Sequence, residues 1–253
     1  MQQLVGAMRR CINDYHMIAP GDRVAVGVSG GKDSLVLLTL LAELRRYEPG
    51  RFELIAATVD MGLGMDYAPV EAYCRALGVP YVCIRTQIGE ILFTHRKEKN
   101  PCSLCAKLRR GALHTRILQE GCTTVALGHH LDDAVETFLM SLLYEGRISC
   151  FEPVTHLART GLTQIRPMLY LTEQAVAGFA ARAQLPVVRN VCPADGCTRR
   201  QEVKALVASL RQQYPDLKTK ILGAMQRCPL AQWEPDADAH RRSIHHERSE
   251  NDL

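Results

Sequence analysis

With 253 residues, 47% of them hydrophobic, the chain is long enough for one sizeable domain and too apolar to be disordered as a whole. Its formal charge of +4 is too small to announce a nucleic-acid binder by composition, so such a role has to rest on local clusters of base. No apolar run approaches the ~18 residues that span a bilayer. The best stretch, residues 35–44, is interrupted by Thr39 and Glu43, and the N-terminus shows no signal-peptide pattern, so a cytoplasmic protein with no membrane partner is expected.

Residues 1–18 read as a helix, with Leu4, Met8, Ile12 and Tyr15 near helical spacing. A short strand at 22–28 leads through a glycine turn into a helix at 34–46. Strands at 52–59 and 79–84 bracket a helix at 67–77. A helix at 102–119, stopped by Gly121, precedes a strand at 123–127 and a helix at 130–144. Further on, 163–165 reads as a strand, and 172–183, 198–214 and 217–227 as helices. This alternation predicts an α/β fold: a doubly wound parallel sheet with helices on both faces and extra C-terminal helices. The expected organisation is an N-terminal helix (1–19), one domain (20–230) and a polar, disordered tail (231–253). Ligands of such sheets sit at the carboxyl ends of the strands, here Val28-Ser29, Val59-Asp60 and Leu127-Gly128-His129.

The first of these ends carries Ser29-Gly30-Gly31-Lys32-Asp33-Ser34 between a strand and a helix. Glycines let backbone N–H groups approach phosphate oxygens, the helix start favours negative charge, and Lys32 adds a mobile cation. Asp33 separates Lys32 from Ser34, so this is not the Walker A pattern, which needs Ser or Thr directly after the lysine. The bland reading is a plain glycine turn. A second strand end, Gly128-His129-His130-Leu-Asp132-Asp133, opens a helix. First-turn carboxylates are often no more than dipole partners, whereas the functional reading puts Asp132 or Asp133 on a Mg²⁺ that accompanies bound phosphate, with Gly128 allowing close approach to the ligand.

Ten cysteines without a secretion signal point to ligands, reactive thiols and core residues rather than a disulfide scaffold. Cys102 and Cys105 begin a helix three residues apart, where the dipole is expected to lower thiol pKa. A later turn carries Cys192 and Cys197. Four thiolates suggest structural zinc; three suit an iron–sulfur cubane with one open iron. Cys11, Cys74, Cys83, Cys122, Cys150 and Cys228 read as packing residues. Base clusters on both sides: Arg96, Lys97, Lys99, Lys107, Arg109, Arg110 and Arg116 around the first pair, and Arg199, Arg200, Lys204, Arg211, Lys218 and Lys220 after the second. Charge runs are commonly solvated faces. Here they flank the cysteines, and Lys107, Arg109, Arg110, Arg199 and Arg200 are the expected contacts to an RNA backbone.

Ser-Gly-Gly-Lys-Asp-Ser is similar to the signature of the PP-loop ATP pyrophosphatases, the adenine nucleotide α-hydrolase-like proteins, which split ATP to AMP and pyrophosphate. Together with Cys-Ser-Leu-Cys-Ala-Lys-Leu-Arg-Arg-Gly, Ala-Leu-Gly-His-His-Leu-Asp-Asp, Ile165-Arg166-Pro167-Met168 and Arg200-Gln201-Glu-Val-Lys, it resembles the TtcA-like tRNA 2-thiocytidine biosynthesis family over roughly residues 20–230. The resemblance implies ATP, Mg²⁺ and a 4Fe-4S cluster as cofactors, the cluster held by Cys102, Cys105 and Cys192, with Cys197 departing from the family pattern. It places Val59 and Asp60 near adenine. It implies an enzyme that adenylates the C2 oxygen of a tRNA cytidine, at position 32 of the anticodon loop, with Lys32 and Asp133 in catalytic roles. Sulfur carried on the open iron then replaces AMP. The implied partners are tRNA and a cysteine desulfurase, with a homodimer as one compatible assembly. Two other readings stay open: thiolation of a tRNA uridine or sulfur transfer to a small molecule, and a zinc-bound RNA-binding module with a structural nucleotide.

Overall fold

The computed structural model describes residues 1–48, 50–95, 101–188, 191–192 and 199–227. Helix α1 (Gln2–Asp14) precedes strand β1 (Asp22–Gly27), helix α2 (Lys32–Tyr47), strand β2 (Phe52–Asp60), helix α3 (Ala68–Ala76) and strand β3 (Tyr81–Arg85). A single turn, α4 (Ile88–Glu90), runs into a wider π turn over Ile91–His95, and helix α5 (Pro101–Gln119) follows. Then come strand β4 (Thr124–Ala126), helix α6 (Leu131–Met140), a second π turn (Ser141–Glu145), strands β5 (Val154–Leu157) and β6 (Leu162–Ile165), and helices α7 (Glu173–Arg182) and α8 (Arg199–Gln213). These belong to one compact unit, Met1–Pro215; helix α9 (Leu217–Arg227) lies in a second that starts at Asp216. The tail expected from 231 onward, Cys197, Cys228 and the bases Arg96, Lys97 and Lys99 lie outside the described residues.

The strands hydrogen-bond in the order β3-β2-β1-β4-β6-β5. Those from β3 to β6 are parallel, with Val24 opposite Leu54 on one side and Thr124 on the other. Strand β5 runs antiparallel, pairing Val154 with Ile165 and Leu157 with Leu162. The doubly wound expectation holds, with β5 as an addition: its four half-buried or exposed residues carry no apolar alternation, and pairing with β6 makes it a strand. The helix expected to reach residue 144 ends at Met140, where the backbone widens into the π turn and then reverses at Gly146 with φ +62°.

Side chains alternate across the sheet, as a period of two demands. Ala25, Ile55, Ala57, Val59 and Val125 face Leu113 and Ile117 of α5, with Ile88 and Leu92 closing that layer. The opposite face is covered by α2, which buries Leu35, Leu37, Leu38, Leu40 and Leu41 completely and packs on α1 and α7. Met8, Cys11 and Ile12 of α1 are buried, so the N-terminal helix is part of the core. Cys74 and Cys122 are buried as expected. Cys83 is not a packing residue: it is exposed on β3, which forms the sheet edge.

The chain winds outward from β1 to β3 in one direction and through β4 and β6 in the other. The reversal between β1 and β4 parts the loops that follow them, and a crevice opens at their carboxyl ends.

Candidate active site at the carboxyl edge of the sheet

The loop after β1 is held by its own serines. Ser34 Oγ accepts from the Ser29 backbone N–H at 3.1 Å and donates to the Gly31 carbonyl at 2.9 Å, and Ser29 Oγ accepts from the Gly31 N–H at 3.3 Å. Gly30 has φ +84°, and a Cβ there would stand 3.0 Å from Cβ of Val188, whose N–H donates to the Gly30 carbonyl. Both conformation and space therefore require glycine. Helix α2 starts at Gly31 with no side-chain cap, which leaves its first-turn N–H groups for a ligand, and the helix dipole favours an anion there.

Lys32 Nζ lies 2.8 Å from Asp33 Oδ1 and 3.5 Å from Glu173 Oε1. Burial pulls its pKa down, but Asp33 and Glu173 outweigh that and raise it, so the ammonium is held charged. It is a cation kept in place by carboxylates that a polyphosphate can displace.

The second strand end is built just as tightly. A Cβ on Gly128 would stand 3.1 Å from the carbonyl carbon of Asp33, so its close approach is to the first turn of α2. His130 caps α6: its Nδ1 accepts from the Asp133 N–H at 3.4 Å, while Asp133 Oδ2 accepts from the His130 N–H at 3.0 Å. The two aspartates of the motif part company. Asp132 is buried, and its Oδ2 accepts from the Glu173 N–H at 2.7 Å, a contact that docks α7; it does not line the cleft. Asp133 lines the cleft, and its Oδ1 lies 3.1 Å from Arg200 Nη1.

The cleft has a volume of about 420 Å³. Val28, Ser29, Asp33, Ser34, Ala57, Val59, Leu127, Gly128, His129 and Asp133 line it from the sheet side, and Ala106, Arg109, Arg110, Leu113 and His114 of α5 form the opposite wall. Val59 is thus part of the cleft wall. The Asp60 carboxylate instead accepts from the Gly62 N–H at 2.9 Å and does not line the cleft. His129 stacks on Phe151 with ring centroids 4.9 Å apart, and Arg166 covers Phe151 with its guanidinium 4.8 Å from the centroid. Burial, with Arg166, Arg200 and His130 adding to it against Asp133, pushes the His129 pKa down to about 4, so the ring is neutral.

Cys102 is exposed at the start of α5, and Cys105 and Cys192 are half-buried. The Cys105 thiol lies 3.5 Å from Met61 Sδ. Its pKa is raised, against the expectation from the helix start: burial pushes it up, Arg109 pulls it down, and charge on Cys192 and Cys102 pushes it up again. Cys102 and Cys192 are thus both within electrostatic reach of Cys105. Among the described residues no three His, Cys, Asp or Glu side chains stand in ready-made metal geometry. The donor set still fits an iron–sulfur group: three thiols, the softest ligands a protein offers, beside one guanidinium.

The expected RNA contacts divide. Lys107 and Arg110 are exposed on α5, and Arg109 is half-buried between the cleft and Cys105. Arg199 lies over the Tyr144 ring at 5.0 Å. Arg200 is tied to Asp133, to Glu136 at 3.5 Å and to Thr137 at 3.4 Å, which docks α8 onto α6.

Comparison with known proteins fits this geometry. The PP-loop domain family matches residues 3–207. The tRNA-cytidine(32) 2-sulfurtransferase of Syntrophotalea carbinolica is 40% identical over 220 residues, 85% of this chain and 85% of that protein. The chain belongs to this family of PP-loop sulfurtransferases. The sulfurtransferase of the same name from Anaeromyxobacter dehalogenans is 38% identical over 227 residues, covering 88% of this chain and 78% of that one. Among solved structures, the U34-tRNA thiolase NcsA from Methanococcus maripaludis, described with its 4Fe-4S cluster, superposes with a TM-score of 0.71 at 26% identity, over 88% of this chain and 77% of that chain.

Glu173 escaped the sequence reading, because an acidic residue after a Thr N-cap is an ordinary dipole partner. The role of His130 escaped it too, because histidine is not a common cap. Among the described residues no helix is long and apolar enough to cross a membrane.

Proposed function

We propose that the chain is an ATP-dependent tRNA sulfurtransferase that adenylates the C2 oxygen of cytidine 32 in the anticodon loop and exchanges that oxygen for sulfur. One observation carries the reading. Helix α5 holds Cys102 and Cys105 at its start and, one turn further, presents Arg109 to the cleft that the phosphate loop forms. Nucleotide chemistry and thiol chemistry thereby share one wall.

ATP lies with its phosphates on the α2 amides and Lys32. The Asp133 carboxylate holds Mg²⁺, which commonly keeps one or two carboxylates beside phosphate oxygens. The cytidine O2 attacks the α-phosphorus, the bond to the β,γ-phosphate breaks, and pyrophosphate leaves. Lys32 and the loop amides stabilise the charge that develops. Sulfur at the sulfide level then adds at C2, and AMP departs with the original oxygen. Cys102, Cys105 and Cys192 would hold the 4Fe-4S cluster, which would supply sulfur delivery when bound. A cysteine desulfurase replenishes the sulfur as a persulfide, and an external thiol or electron donor supplies the two electrons that bring it to the sulfide level. Exposed Lys107 and Arg110 meet the tRNA backbone, and the work is done where tRNA is, in the cytoplasm.

Cytidine is favoured over uridine because the cytidine relatives are 38–40% identical and the uridine thiolase 26%. Nucleoside analysis of tRNA from a strain lacking the gene tests this directly: 2-thiocytidine should disappear and return with the wild-type copy. Loss of a thiolated uridine instead would transfer the reading to the uridine substrate.

A further inference from the structure

Glu173 opens α7 and stands between two lysines from distant parts of the chain. Its Oε1 lies 3.5 Å from Lys32 Nζ in the phosphate loop, and its Oε2 lies 2.6 Å from Lys204 Nζ on α8. The residue is fixed at its root, because its backbone N–H donates to buried Asp132. Lys204, with Lys32 adding to it, holds the Glu173 carboxyl below the usual carboxylate range, so it is ionised at neutral pH.

Helix α8 has a second anchor on the same site, through Arg200 to the cleft residue Asp133. Arg200 and Lys204 are four residues apart on one face of α8.

A polyphosphate on the loop changes this arrangement by charge alone. It draws Lys32 to itself and sets negative charge beside Glu173, which is then left with Lys204 as its counter-charge. We propose that Glu173 is a positioning residue for the thiolation reaction: by exchanging its shared hold on Lys32 and Lys204 for a hold on Lys204 when nucleotide binds, it ties the placement of α8, and with it of Arg200, the partner of Asp133, to the state of the phosphate loop. This rests on the tRNA-thiolating reading for the transfer step, and on the phosphate loop alone for the exchange of partners.

Two variants with opposite signs test it. Glu173→Gln removes the carboxylate that competes for Lys32, so a non-hydrolysable ATP analogue should bind the cluster-loaded protein about two- to fivefold more tightly, the range of one partly exposed ion pair. Thiolation turnover should nevertheless fall. Lys204→Met leaves Glu173 to Lys32 alone, so the analogue should bind more weakly by a similar factor, and turnover should fall again. A residue that merely supported the fold would lower analogue affinity and Tm in both variants. Affinities that move in the same direction in the two variants, or stay unchanged in both, overturn the proposal, as does wild-type turnover in both. If the affinities split as expected but neither wild type nor variants thiolate tRNA, the exchange of partners stands and the functional reading fails.

Discussion

Gly128 sits so close to the first turn of α2 that a Cβ on it would lie 3.1 Å from the Asp33 carbonyl carbon and 3.2 Å from the Ser34 nitrogen. Both atoms are backbone and neither can swing aside. The strand end after β4 is therefore locked to the helix that opens the proposed phosphate site, and a change at one is felt at the other. Gly128→Ala should cost about 1–3 kcal/mol of stability, the usual range for overpacking, and weaken ATP binding by displacing the α2 start. Urea melts and ATP titration of the variant check this. Unchanged binding would mean that the loop does not depend on this contact.

The neutral His129 gives the fold a pH signature. Its pKa is about 4 in the folded chain against an ordinary 6.5. The folded state binds fewer protons than the unfolded state between those values, so stability is complete above about pH 6.5 and is lost as pH falls toward 4. The loss is on the order of 2–3 kcal/mol across that window. His129→Phe, which keeps a ring against Phe151, should flatten the change in urea midpoint between pH 7 and pH 5. An equally steep variant would assign the acid lability to another group.

Replacing the exposed Lys107 and Arg110 by Ala should weaken tRNA binding and reduce the slope of log K against log salt by roughly 1.5–2, the release expected for two phosphate contacts. The contrast residue is Arg200: bonded to Asp133, Glu136 and Thr137, it should reduce stability when replaced and leave the salt slope nearly intact.

Much of this was legible in the sequence where local chemistry and tertiary role coincide. The glycine turn between β1 and α2 needs glycine for its own backbone at Gly30 and is also the proposed phosphate site, so one pattern carries both readings. Asp132 and Asp133 show the opposite case. Adjacent residues on a helix point about 100° apart, one into α7 and the other into the cleft, and no spacing rule separates them before the partner helices are known. Strand β5 was missed because its pairing partner, rather than its own residues, makes it a strand. The rise of the Cys105 pKa was missed because burial beneath Met61 and its neighbours outweighs the helix dipole, and burial at a helix start is set by packing from elsewhere.

Protein purified anaerobically should contain about four irons per chain, the content of one cubane cluster. Ser at Cys102, Cys105 or Cys192 should remove the iron, whereas Cys197→Ser should keep both iron and thiolation. Release of a single zinc from Cys197→Ser, with no iron in the wild type, would make the site a structural tetrathiolate and end the sulfur-transfer mechanism.

The most direct test is reconstitution with purified components: cluster-loaded protein, unmodified tRNA, ATP, Mg²⁺ and sulfide, with nucleotides and digested nucleosides both quantified. The account predicts AMP, pyrophosphate and 2-thiocytidine at position 32, formed in step, and a loss of about 10²–10³ in turnover for Lys32→Ala with the fold intact. ADP and orthophosphate as products, or AMP formed without any thiolated cytidine, would contradict it.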